Sequence, residues 1–207
     1  MVSSFKKMKT NIFALVFLLA VAGCSTTQPS GLVDENILLK VPIPDSGWTI
    51  RSGEKGDDSI RMWHKENEWF KVTISHGGPH PEPEQFRHGV DDAARQNLTS
   101  DLQSKELKTG LVNNYPMILW QTEATLKDGT KTLNLLLYIK GNDANYQVQR
   151  RWNYTQVSDA EKQLWIDYML SISVCDNRYP EHQSPKMEEE WPGLYYNSAA
   201  LTNAVKQ

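Results

Sequence analysis

The 207-residue sequence predicts an α+β domain: an antiparallel sheet with two main helices packed on it. Three observations predict it. Phe70, Val72 and Ile74 alternate with Lys71, Thr73 and Ser75, the period of two that belongs to a strand with one covered face. Phe86, Val90, Ala93 or Ala94, Leu98 and Leu102 recur at three- and four-residue spacing, the stripe of an amphipathic helix. Ser158-Asp159-Ala160-Glu161 has the form of a capping box ahead of a second apolar stripe.

In chain order, the domain opens with extended segments. ILLKVPIP reads as a strand closed by Pro42 and Pro44, and GWTI, SIRMWH and EWFKVTISH follow, separated by SGEKGDD and KEN turns. The loop HGGPHPEPE leads into the first helix. Pro83 and Glu84 suit its first turn, where a missing N–H costs no bond and an acid complements the helix dipole. ELKTGLV is a weak strand; PMILWQTEATL, KDG and TKTLNLLLYIK form a hairpin; GNDA then turns into NYQVQRRWNY. In that last segment Tyr146, Val148, Arg150, Trp152 and Tyr154 share one face, and Gln147, Gln149, Arg151 and Asn153 the other. Arg150 is out of place on the more apolar face, which predicts a sheet edge or an acidic partner. In the second helix the Ser158 hydroxyl and Glu161 carboxylate are expected to satisfy the first amides. Trp165, Tyr168, Met169 and Ile172 form its apolar stripe, with Leu164 beside it.

Ahead of the domain, Lys6, Lys7 and Lys9 precede an uncharged, apolar run from Asn11 to Gly23, the pattern of a secretory signal. The run is shorter than the roughly 20 apolar residues a spanning helix needs. It ends in Val21-Ala22-Gly23-Cys24, which resembles the lipobox of bacterial lipoproteins: a branched residue, two small ones and the acylated cysteine. That resemblance implies cleavage between Gly23 and Cys24, and palmitate-type acyl chains on Cys24 that together make a stable membrane anchor. Ser25 in the next position implies the outer membrane. The chain then divides into a signal peptide (1–23), a polar tether after lipidated Cys24 (24–36), the domain (37–178) and a Pro/aromatic extension (179–207).

Removing 23 of the 207 residues leaves 184, enough for one sizeable core. It also removes three lysines and no acid, taking the formal charge from −3 to −6. Nucleic-acid binding, which depends on basic stripes, is not expected. Cys175 is the one thiol outside the lipidation site. His182 and Asp176 lie near it in sequence, but a small buried cysteine is the simpler reading. His64, His76, His80 and His88, with Glu82 or Glu84, have ligand chemistry, yet His76 and His80 flank Gly-Gly-Pro and no HExxH or CxxC is present. No metal and no cofactor are expected. With no GxSxG, phosphate loop or Ser-x-x-Lys set, and with Asp57-Asp58 and Asp91-Asp92 at turn and helix positions, the chain reads as non-catalytic. Trp63, Trp69 and Trp191 are the tryptophans left over for stacking on a sugar. In the extension, Trp191, Leu194, Tyr195 and Tyr196 either dock back on the domain or meet a partner; exposed aromatics lower solubility, which favours docking.

VPIPDSGW, the mid-chain amphipathic helix, and NYQVQRRW followed by a capped helix with WIDYMLSIS span residues 37 to 174. In that order they resemble the PsbP-like fold, whose family includes DcrB-like bacterial and LpqN-type mycobacterial lipoproteins. The resemblance implies an α+β sandwich and an auxiliary protein that binds and positions other proteins, with no shared catalytic set. The expected function is thus a membrane-anchored envelope lipoprotein that binds another protein as an accessory, assembly or inhibitory (immunity-type) factor. The alternative is a lipoprotein holding a lipid, glycan fragment or metal between sheet and helices.

Overall fold

The computed structural model describes residues 35–40, 48–52, 60–77, 79–97, 101–153, 156–176, 178–179 and 195–196. The signal segment, Gly23, Cys24, most of the tether, His182, Trp191 and Leu194 lie outside the described residues. The elements are β1 (Glu35–Lys40), β2 (Thr49–Ser52), β3 (Ile60–Lys65), β4 (Glu68–His76), α1 (Pro83–Asn97), β5 (Gln103–Val112), β6 (Tyr115–Thr125), β7 (Lys131–Lys140), β8 (Ala144–Trp152), α2 (Asp159–Leu170), β9 (Ser173–Asp176) and β10 (Tyr195–Tyr196). Seven strands form an antiparallel sheet in the order β2-β3-β4-β8-β7-β6-β5. A smaller sheet, β10-β1-β9, is also antiparallel. The protein is α+β.

Side-chain alternation assigns each face of the large sheet. Phe70, Val72, Leu135, Leu137, Tyr146, Val148 and Trp152 point into the main core together with Met169 of α2 and Ile37 of β1. The opposite face carries a smaller cluster, Ile118, Trp120, Leu136 and Tyr138, covered by Phe86 and Val90 of α1. Phe86 stacks on Tyr138 at 4.0 Å between ring centroids. The Tyr138 hydroxyl donates to Asn145 Oδ1 (2.7 Å). Beyond α1 this face turns polar, with Thr122, Asn134 and Thr73 buried on it.

Several sequence expectations shift by a turn or less. The first helix ends at Asn97 and Leu102 precedes β5 directly, so Leu102 is not part of the helical stripe; Leu98 lies outside the described residues. Asn, Thr, Ser and Asp side chains compete for backbone hydrogen bonds in non-helical conformations, so the sequence NLTSD at 97–101 is a poor continuation of a helix. In α2 the Ser158 hydroxyl accepts from Glu161 N (3.1 Å) as expected. The Glu161 carboxylate does not close the box: it accepts from Trp152 Nε1 (2.8 Å) and lies 3.6 Å from Arg150 Nη2. α2 stops at Leu170, where the Ser171 hydroxyl donates to Tyr168 O (2.6 Å), so Ile172 reaches the core from the link into β9. Leu164 is 67% exposed.

Glu35, in the segment the sequence reads as tether, is the first residue of β1. Glu35 is buried, and its carboxylate accepts from the amides of Asn142 (2.7 Å), Asp143 (3.1 Å) and Ala144 (3.3 Å) and from the Tyr146 hydroxyl (2.9 Å). A buried carboxylate persists only when such donors replace its lost hydration. This nest ties β1 to the β7–β8 turn. Gly141 belongs to it, because a Cβ there would press on Glu35 Oε1 and on Ala144 O.

Candidate binding groove

At one corner of the sheet, the ends of β6 and β7, the run into β5 and the first turn of α2 border an open groove of about 750 Å³. Register builds its floor: Gln103 pairs with Glu123, Glu123 with Leu133 and Thr125 with Lys131, so these residues line neighbouring rows. Asp101 closes one side, its Oδ1 accepting from Thr125 N (3.1 Å). Ser158, Asp159 and Lys162 form the other wall. Lys162 sits 2.7 Å from Asp159, and that bond holds the Asp159 carboxyl below its usual range. The lining thus mixes three carboxylates, Asp101, Glu123 and Asp159, with two ammonium groups, Lys131 and Lys162.

The wall made by α2 is positioned from the core. Arg150 is 1% exposed and lies in the middle of the sheet, between β4 and β7, not at an edge. It finds the acidic partner that its odd placement predicted. The guanidinium pairs with Glu68, approaches Glu161 of α2, and lies over the rings of Trp152 (4.1 Å), Trp165 (4.6 Å) and Trp48 (4.9 Å). Three aromatic faces and two carboxylates compensate for the water this cation has lost. Because Glu161 also accepts from Trp152, the helix start is fixed in height and rotation above β8.

The other candidate residues are dispersed. Cys175 is buried in β9, opposite Asn36 of β1; its Sγ is near Asn113 Nδ2 (3.8 Å) and Ser173 Oγ (3.9 Å). Asp176, its sequence neighbour, is engaged by Arg178, whose Nε lies 2.9 Å from Oδ1. His80 Nδ1 is 3.1 Å from Gly141 O, while His76 and His88 are exposed. Glu82 pairs with Lys140 at 2.5 Å. Asp91 is buried beside Arg87 (3.8 Å) instead of sitting on an open helix surface. Trp63, left over for sugar stacking, is instead core: it is 2% exposed and packs against Phe70 at 5.4 Å. Trp69 remains half-buried on the polar face. Tyr195 and Tyr196 form β10, whose backbone pairs with Lys40 and Leu39.

The sequence alone does not show the groove. Its residues are separated by up to 61 positions and carry no motif; the one local signal was the Ser158 cap.

No protein-family model matches the chain, and no curated protein matches it. Solved structures similar in fold include cyanobacterial PsbP from Synechocystis, at 12% identity and a TM-score of 0.40 over 72% of this chain and 97% of that one. LpqN of Mycobacterium tuberculosis, described as involved in cell envelope biogenesis, is found at 10% identity and 0.39, covering 72% and 86%. A Pseudomonas aeruginosa protein of unknown function is found at 11% and 0.40, covering 60% and 94%. At these values the likeness says nothing about activity, ligand or partner.

Proposed function

We propose that this is a non-catalytic protein of the bacterial envelope, anchored through acylated Cys24, whose domain holds another protein at the corner groove. The groove's character carries this reading: it is open, polar and lined with charges of both signs, which suits a loop or terminus of a protein better than an acyl chain. The cleft between sheet and α2, where a lipid would otherwise sit, is filled by Trp165 against Phe70 (5.6 Å), Trp152 (6.4 Å) and Tyr168 (5.3 Å). The lipobox and the basic, apolar leader support the anchor. Among the described residues no helix is long and apolar enough to cross a membrane.

The test is affinity recovery from the membranes of producing cells, comparing the wild-type chain with a Glu123→Lys/Lys131→Glu double variant and with a His88→Ala control on α1. The proposal expects one protein to be recovered with wild type and control and lost with the double variant, whose thermal midpoint stays within a few degrees of wild type. Equal recovery by all three would remove the groove from the account.

A further inference from the structure

The polar half of the sheet's second face carries an arrangement that neither helix uses. α1 covers β6 and β7 through Phe86 and Val90, leaving β4 and β8 with Trp69, Lys71, Gln149 and Arg151 on that side. Register places Trp69 beside Arg151 and Lys71 beside Gln149. The Arg151 guanidinium lies 5.7 Å from the Trp69 ring centroid.

Three properties set this patch apart from an ordinary solvated surface. No Asp or Glu stands on this face anywhere along the described length of β3, β4, β8, β7 or β6; the carboxylate that acts on Arg151 is Asp128, at the tip of the β6–β7 turn. Both cations are partly withdrawn from water, and burial pulls Lys71 and Arg151 below their usual values. A directional hydrogen-bond chain also crosses the strands: Gln149 Nε2 donates to Asn134 Oδ1 (3.1 Å), and Asn134 Nδ2 donates to Thr122 Oγ1 (3.2 Å). That chain fixes the Gln149 amide so that its Oε1 is left buried without a hydrogen-bond partner. Arg151 spends its Nε on Asn153 Oδ1 (2.6 Å), and its Nη2 is likewise buried without one. An unmatched acceptor and an unmatched cationic donor therefore sit two residues apart on one strand, beside an aromatic ring. Buried polar atoms seldom go unmatched without a ligand or water to answer them.

We infer that this face is a binding site for an acidic glycan, with a sugar-borne carboxylate or phosphate meeting Arg151, a sugar hydroxyl donating to Gln149 Oε1, and a ring face resting on Trp69. The side chains bearing the two unmatched atoms are themselves only half-buried, so a rotamer change exposes both. Lys71 lies on the same face, beside Gln149, and is not required to touch the ligand. The site lies on the face opposite the α2 core and does not depend on the groove.

The test is calorimetric titration of the full chain in detergent with three probes: an oligogalacturonide, a neutral malto-oligosaccharide of equal length, and inorganic phosphate. The inference expects the acidic oligosaccharide to bind, the neutral one to bind at least tenfold more weakly, and phosphate alone to give no measurable heat. Arg151→Gln and Trp69→Ala should each lower affinity for the acidic probe about tenfold, the worth of one charge-assisted or stacking contact. Lys105→Gln on β5 should leave it unchanged, and thermal midpoints report whether each variant is folded. Equal binding of acidic and neutral probes, binding of phosphate as strong as that of the oligosaccharide, affinity unaffected by Arg151→Gln, or no binding at all would overturn it. A loss confined to the Glu123→Lys/Lys131→Glu variant would do so as well, by moving the ligand to the groove.

Discussion

Arg150 and Trp152 alternate along β8 on the same face, and the guanidinium carbon of one lies 4.1 Å from the ring centroid of the other inside the main core. Truncating Arg150 leaves the Glu68 carboxylate without its cation and three tryptophans without their shared partner. Arg150→Ala is expected to cost about 3–5 kcal/mol, the range for breaking a buried pair from one side. Arg150→Met combined with Glu68→Gln should cost less than Arg150→Ala, since the Glu68 charge is removed together with its cation and the core volume is kept. Denaturant midpoints order the variants; a near-neutral Arg150→Ala would contradict the packing described.

The Glu35 nest gives a second prediction. Gly141→Ala forces a methyl against Glu35 Oε1 and the Ala144 carbonyl, and overpacking of this kind costs about 1–3 kcal/mol. Glu35→Ala should relieve part of that clash, so the double variant should be less destabilised than the two single effects summed. Additive effects would mean that the two positions do not touch.

A third concerns alkaline pH. Burial is the leading cause holding Tyr115, Tyr138, Tyr146 and Tyr168 above the ordinary value of 10.0, and the Glu35 carboxylate adds to it for Tyr115 and Tyr146. Above about pH 10 the unfolded chain loses these protons while the folded chain keeps them, so stability falls as pH rises. The phenolate absorbance of these residues should therefore appear together with loss of near-ultraviolet dichroism. If these tyrosines titrated near pH 10 in a protein that stays folded, their burial would be contradicted.

Ser158 offers a fourth. Its hydroxyl is the cap bond to Glu161 N, and Ser158→Ala should cost about 0.5–2 kcal/mol. Ser158→Asp, also a good cap, should retain most of the stability. It would add a fourth carboxylate to the groove and so change partner recovery without changing the fold, which separates the two roles of this position.

Local periodicity made most of the large sheet and both helices legible. Phe70, Val72 and Ile74 point inward as their alternation requires, and the Ser158 cap marks the start of α2 correctly. What stayed hidden depends on distant partners. β9 is four residues long and becomes a strand because β1 lies beside it. Glu35 reads as tether until three backbone amides more than a hundred residues away converge on it. Glu161 has the right spacing for a capping box, but Trp152 and Arg150 claim its carboxylate. Trp63 and Trp69 look alike in sequence; pairing in β3 and β4 sends one into the core and the other to the polar face. Of the groove only the Ser158 cap is legible, because the hairpin ends, the β5 entry and the α2 cap meet only through the fold.

The central claim is that a protein partner sits at the corner groove of a lipid-anchored domain. Its most direct measurement is in-cell photocrosslinking from Gln103, Lys131 and Gln156, each replaced in turn by a photoreactive residue, with His88 on α1 as the control position and Cys24→Ser as the unanchored form. The account predicts one crosslinked envelope protein, shared by the three groove positions, absent from the control and reduced when Cys24 is replaced. Adducts equally frequent at all positions, or no protein adduct from the groove while the Cys24→Ser form remains membrane-bound, would contradict it.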